Sequence, residues 1–124
     1  MALFPEDVRT LVDIGMIAWS RGHLSEAGKI FEALRLDRPE EEACAIGGAL
    51  VAMSEHHTTR AIAMLRRIPP TDTARAFLGI ALLDHGERQE GAEMLEEVAK
   101  SAGESAPGSL ARAALDINSF AQRL

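Results

Sequence analysis

Apolar residues recur three and four apart along most of the chain, and proline, glycine or polar clusters break the pattern into helical segments. Pro5 with Glu6 and Asp7 behind it suits a first turn, because proline there lacks only an N–H that has no partner and acids favour the helix dipole. That helix is expected to run to about Arg21 and end at Gly22. "LSEAGKIFEALRL" places Leu24, Ala27, Ile30, Phe31 and Leu34 on one helical face, and Pro39 closes it. A third helix is expected over 40–54, ended by "SEHHTT". Thr58 or Thr59 can cap "RAIAMLRRI", which Pro69 and Pro70 stop. Two more helices follow, roughly 72–85 and 88–101, parted by Gly86. "GESAPGS" reads as a loop and "LARAALDINSFAQRL" as a last helix.

The third helix breaks the amphipathic rule. From Ala43 to Met53 it holds no charged or strongly polar side chain, whereas a surface helix keeps one face for water. Partner helices on two sides leave a third side that something else must cover.

Composition supports an all-α chain. Among 124 residues there is no Tyr, one Trp and four Phe, and the plentiful small side chains suit close helix packing better than a pleated sheet. The net charge of −6 lacks a basic stripe beyond Arg66-Arg67, so nucleic acid is not an expected partner. No run approaches the ~18 apolar residues of a membrane span, and "MALFPEDVRT" lacks the basic start of a secretory signal. The single Cys44 cannot form an internal disulfide. A cytoplasmic protein with no membrane span is the expectation.

Helices in pairs prompt a search for repeats. A shift of 34 residues superimposes Gly15 on Ala49, Ala18 on Ala52, Ala27 on Ala61 and Phe31 on Leu65. A further shift of 30 carries Ala49 to Gly79, Ala52 to Leu82, Ala61 to Gly91 and Leu65 to Leu95. The units run roughly 8–41, 42–71 and 72–104, with a C-terminal helix over about 108–124, in a single domain 1–124. The first unit reads Leu11-x2-Ile14-Gly15-x2-Ala18, then Gly22, Ala27-x3-Phe31 and Pro39. This resembles the tetratricopeptide repeat, with Leu11 and Ala18 standing where the family pattern has Trp and Tyr. The resemblance implies a helical-hairpin solenoid of about three repeats plus a capping helix, whose first helices line a concave face.

Sorting those first helices at 100° per residue isolates one large apolar stripe on each. The stripes are Val12, Met16 and Trp19; Ile46, Leu50 and Met53; and Ala76, Ile80 and Leu83. By the resemblance, they line the groove. Relatives that grip a peptide C-terminus carry Lys, Arg and Asn at such positions, and none of these nine is polar. An apolar channel suits an amphipathic helix of a partner, and Met16 and Met53 add adaptable contacts. The alternatives are a groove filled by the terminal helix or buried in a homodimer. In size, acidity, repeat number and groove character the chain resembles the bacterial type III secretion chaperones, above all those of the needle subunit. That resemblance implies a secreted or structural client kept soluble in the cytoplasm and a small helical co-chaperone. The rival is a scaffold or adaptor whose groove is a permanent subunit interface.

Signals for chemistry are weak. His56 and His57 point about 100° apart on a helix and have no ligand at four-residue spacing. With His23 and His85, they read as turn residues. Cys44 lies on a packing stripe and reads as a small buried hydrophobe. "GGALVAM" follows no strand and lacks the Lys-Ser/Thr of a phosphate loop. "PEEE" and "EMLEEV" read as solvated acids. No catalytic residue, metal ligand or cofactor is expected, and the chain reads as a binding protein rather than an enzyme. Chelation should therefore leave thermal stability unchanged. A melting midpoint lowered by many degrees in EDTA would place a metal on His56 and His57.

Overall fold

The computed structural model describes residues 3–123, and every regular element in them is a helix. These are α1 (Pro5–Ser20), α2 (Leu24–Asp37), α3 (Glu42–Ser54), α4 (Thr58–Arg66), α5 (Asp72–Asp84), α6 (Arg88–Ala102) and α7 (Ala106–Gln122). None of them is long and apolar enough to cross a membrane. The chain divides into two compact units, Met1–Ile68 with α1 to α4 and Pro69–Leu124 with α5 to α7.

Two boundaries differ from the sequence reading. α7 begins at Ala106, inside the segment expected to be a loop, because Ser105 is an extended N-cap and Pro107 falls in the first turn. Gly108 belongs to that turn, and a Cβ there would lie 2.2 Å from the Gly103 carbonyl oxygen. α4 is entered through His57, so Thr58 is its first helical residue and no side chain caps it. At α5 the side-chain cap does form, Thr71 Oγ1 accepting from the Ala74 N–H at 3.1 Å.

The same turn joins the helices of each hairpin. After α1, the Gly22 N–H donates to the Trp19 carbonyl at 3.0 Å and the His23 N–H to the Ala18 carbonyl at 2.9 Å. After α3, His56 donates to Met53 at 3.0 Å and His57 to Ala52 at 2.7 Å. After α5, Gly86 donates to Leu83 at 3.1 Å and Glu87 to Leu82 at 2.9 Å. This paired bonding closes a helix through a left-handed residue. Gly22, His56 and Gly86 hold that position at φ 81°, 64° and 89°. The next residue, His23, His57 or Glu87, is in each case the N-cap of the following helix. The turns thus repeat at the spacing found in the sequence.

Burial repeats in the same register. Ala27, Ala61 and Gly91 are buried, as are Phe31, Leu65 and Leu95 and then Leu34, Ile68 and Val98. Phe31 organises the first unit. A Cβ on Gly15 of α1 would stand 2.8 Å from its ring, and one on Gly47 of α3 only 2.1 Å away. The ring therefore lies against bare backbone from two helices. In the second unit Leu95 takes the same part, within 2.7 Å of a Cβ placed on Gly79, and a Cβ on Gly91 would meet the Gly79 carbonyl oxygen at 2.9 Å.

The apolar character of α3 follows from its position. It packs on α1, α2 and α4, and Cys44, Ala45, Ile46, Gly47, Ala49, Val51 and Ala52 are all buried. The α1 side chains share a cluster with Cys44 and Val51, and on the third stripe Ile46 is buried while Leu50 and Met53 stay partly exposed.

His56 is the only non-glycine residue with positive φ among those described. A left-handed conformation costs an L-residue about 1–2 kcal/mol, and the extra freedom of glycine in the unfolded chain returns about 0.4–1 kcal/mol of that. His56→Gly is expected to stabilise the protein by up to about 1 kcal/mol, read as a higher urea midpoint with helicity unchanged. A lower midpoint would mean that the imidazole gains more from its surroundings than the backbone loses.

Candidate partner-binding surfaces

Of the nine stripe residues, six lie in the first unit. Val12, Met16 and Trp19 are half-buried and rest on the cluster of Val8, Ala27, Phe31, Leu34, Cys44 and Val51. Ile46 is buried at 9% exposure, while Leu50 and Met53 keep part of their surface open. The indole Nε1–H of Trp19 donates to Ser54 Oγ at 2.8 Å and ties the end of α1 to the end of α3. The tie holds Trp19 of the α1 stripe against the end of α3, with the polar atom of the indole satisfied.

The other three residues lie in the second unit. Ala76 is 0% exposed, clustered with Leu95 and Val98 of α6 and Ala111 of α7, and it offers no surface to a partner. Ile80 and Leu83 pack beside that cluster with Leu110, Ala114 and Leu115 of the terminal helix. In this unit α7 contributes to covering α5.

A second surface in the first unit was not singled out from the sequence. A cleft of about 560 Å³ opens between α2, α3 and α4, with Gly28, Gly48, Val51, Ala52 and Met64 among its lining. Lys29, Glu32, Arg35, Glu55 and Arg60 stand around it. Glu32 receives Arg35 at 3.1 Å and Arg60 at 3.6 Å. The Nε of Arg35 is buried and has no hydrogen-bond partner. A signal for this surface did exist. Gly28, Glu32 and Arg35 stand at i, i+4 and i+7 and share one face of α2.

The residues screened for chemistry occupy ordinary structural positions. Cys44 is fully buried, and its thiol is pushed above the usual range, first by desolvation and then by the nearby Glu41 carboxylate, so it stays protonated. His23 and His57 enter α2 and α4, His56 closes α3 and His85 closes α5. Among the described residues no group of three or more His, Cys, Asp or Glu side chains is placed to hold a metal ion, and no polar or charged residue is buried as a whole.

No family model matches the chain, and neither a curated protein nor a solved structure resembles it at a significant level.

Proposed function

We propose that this chain is a protein-binding helical-repeat module of the tetratricopeptide type, and that the apolar side of α1 and α3 holds an amphipathic helix of a partner. The observation that carries the reading is the partly exposed apolar set Met16 and Trp19 on α1 and Leu50 and Met53 on α3, two helices that pack on one another. Water meets that strip in the free protein, and a helix presenting apolar residues at i, i+3, i+4 and i+7 would displace it. The hairpin turns that repeat at Gly22, His56 and Gly86 support the repeat type. The partner class that best fits an acidic chain of this size is a secreted subunit that polymerises once released. The module would then act as a type III secretion chaperone in the cytoplasm, aided by a small helical co-chaperone.

Exposed apolar side chains favour a second reading. Ile14 and Ile17 lie on the outer face of α1, and Ile117 and Phe120 on that of α7. An adaptor subunit would bury such faces permanently against other chains. Purified alone, a chaperone should self-associate or lose stability and should form a discrete complex when its client is co-expressed. An obligate homo-oligomer should be stable alone at one stoichiometry.

Neighbouring substitutions on α3 test the groove. Leu50 is half-exposed, whereas Ala49 is 1% exposed in the core. Leu50→Asp should leave the monomer helical with a near-parental melt and weaken partner binding by about 2–5 kcal/mol, because it sets a carboxylate against an apolar helix. Ala49→Asp should unfold the first unit through an unpaired buried charge. If Leu50→Asp lowers helicity and melting as severely as Ala49→Asp, Leu50 is a core residue and the groove lies elsewhere.

A further inference from the structure

Matching positions on the first helices of the repeats are not finished alike. The 34-residue shift carries Thr10, Ile14 and Ile17 of α1 onto Cys44, Gly48 and Val51 of α3. On α3 that stripe lies under α2. Cys44 and Val51 share a cluster with Phe31 and Leu34, and a Cβ on Gly28 would touch Val51 Cγ1 at 3.5 Å. The further shift of 30 reaches Ala74, Leu78 and Ala81 of α5, which are buried as well. On α1 the same stripe is open, with Ile14 47% and Ile17 51% exposed. Leu3, just before α1, is tied to the end of α2, its N–H donating to Asp37 Oδ2 at 3.3 Å and its carbonyl accepting from Arg38. A helical array that ends in water turns a polar face outward, and two branched apolar side chains one turn apart do the opposite.

The charges at the two ends of the stripe indicate what fits it. At 100° per residue, Asp7, Thr10, Ile14, Ile17 and Arg21 fall within about 80° of one another, and all five are exposed. The Thr10 hydroxyl donates to the Glu6 carbonyl at 2.9 Å and is satisfied within the helix. The stripe lies on the side of α1 opposite Val12, Met16 and Trp19. Along its length of about 21 Å the order is acid, isoleucines, base. Such an order is complementary to itself reversed. An antiparallel second copy brings Asp7 of each chain to Arg21 of the other, with the isoleucines between them. A parallel copy would set like charges together at both ends.

We infer that the outer stripe of α1 is the interface of a two-fold dimer, in which α1 packs antiparallel on α1 of a second copy. Ile14 and Ile17 of both chains form its apolar centre, and pairs of Asp7 with Arg21 close its two ends. One helix face from each chain is small beside a standard interface, so this dimer dissociates on dilution, unlike an obligate oligomer. It does not use the strip of Met16, Trp19, Leu50 and Met53, and neither surface depends on the other.

Sedimentation equilibrium on the full chain tests this, run from low micromolar to the highest soluble concentration. Monomer should pass to dimer and no further. Asp7→Arg and Arg21→Asp, each alone, should weaken self-association about tenfold or more, because like charges then meet at both ends. Mixed in equal amounts, these two variants should associate again, since one presents two bases and the other two acids. Ile17→Gln should weaken the dimer without touching either charge, whereas Leu50→Asp and Phe120→Ser should leave it unchanged. Melting curves confirm that each variant is folded. A chain that stays monomeric throughout would overturn the inference, as would charge variants that fail to associate when mixed. Loss of the dimer in folded Leu50→Asp or Phe120→Ser would also overturn it, by assigning the contact to the α1–α3 strip or to the terminal helix.

Discussion

The seating of one large side chain on bare backbone governs the hairpins. Phe31 sits on Gly15 and Gly47, and Leu95 sits on Gly79. Each glycine costs its helix about 1 kcal/mol, while losing a buried phenylalanine costs about 3–5 kcal/mol, so the exchange favours the glycines. Two consequences follow. The helices of a hairpin lie close enough that the chain must reverse within the few residues of the Gly22, His56 and Gly86 turns. The seated ring also fixes α3 in rotation, because any other angle would bring a neighbouring side chain of α3 onto Phe31 instead of Gly47.

The helices were legible in the sequence because their ends are chemical events. Proline and glycine act within one or two residues of themselves. The start of α7 was not, since Gly103, Ser105, Pro107 and Gly108 are loop formers by composition. Only the order, an N-cap serine followed by a first-turn proline, makes them a helix start. The turn role of His56 was legible. Its left-handed backbone could be read only by aligning it with Gly22 and Gly86.

The candidate surfaces were legible to different degrees. Periodicity gives the direction of a side chain on its own helix, so Leu50 and Met53 could be assigned to one stripe. How much of a stripe stays open depends on neighbours that periodicity does not specify. The Phe31 cluster half-buries the α1 stripe, and Ala111 of the terminal helix helps to seal Ala76. The α2–α3–α4 cleft was hardest to see. A cleft is defined by atoms that are missing, and Gly28 and Gly48 look in sequence like the glycines that serve close packing.

Helix α3 contributes to both surfaces, and its geometry keeps them apart. Leu50 and Gly48 are two positions apart, which separates them by about 200° around the axis. Between them lie the Gly47 seat on one side and the buried Ala45, Ala49 and Ala52 on the other. A helix clamped in this way transmits little rotation, because turning it toward either surface would press a side chain into Phe31 or open a gap in a close-packed core. A change on the Leu50 side therefore alters the surface it belongs to and leaves the Gly48 side as it was, as expected for sites that share a rigid element but no side-chain partners.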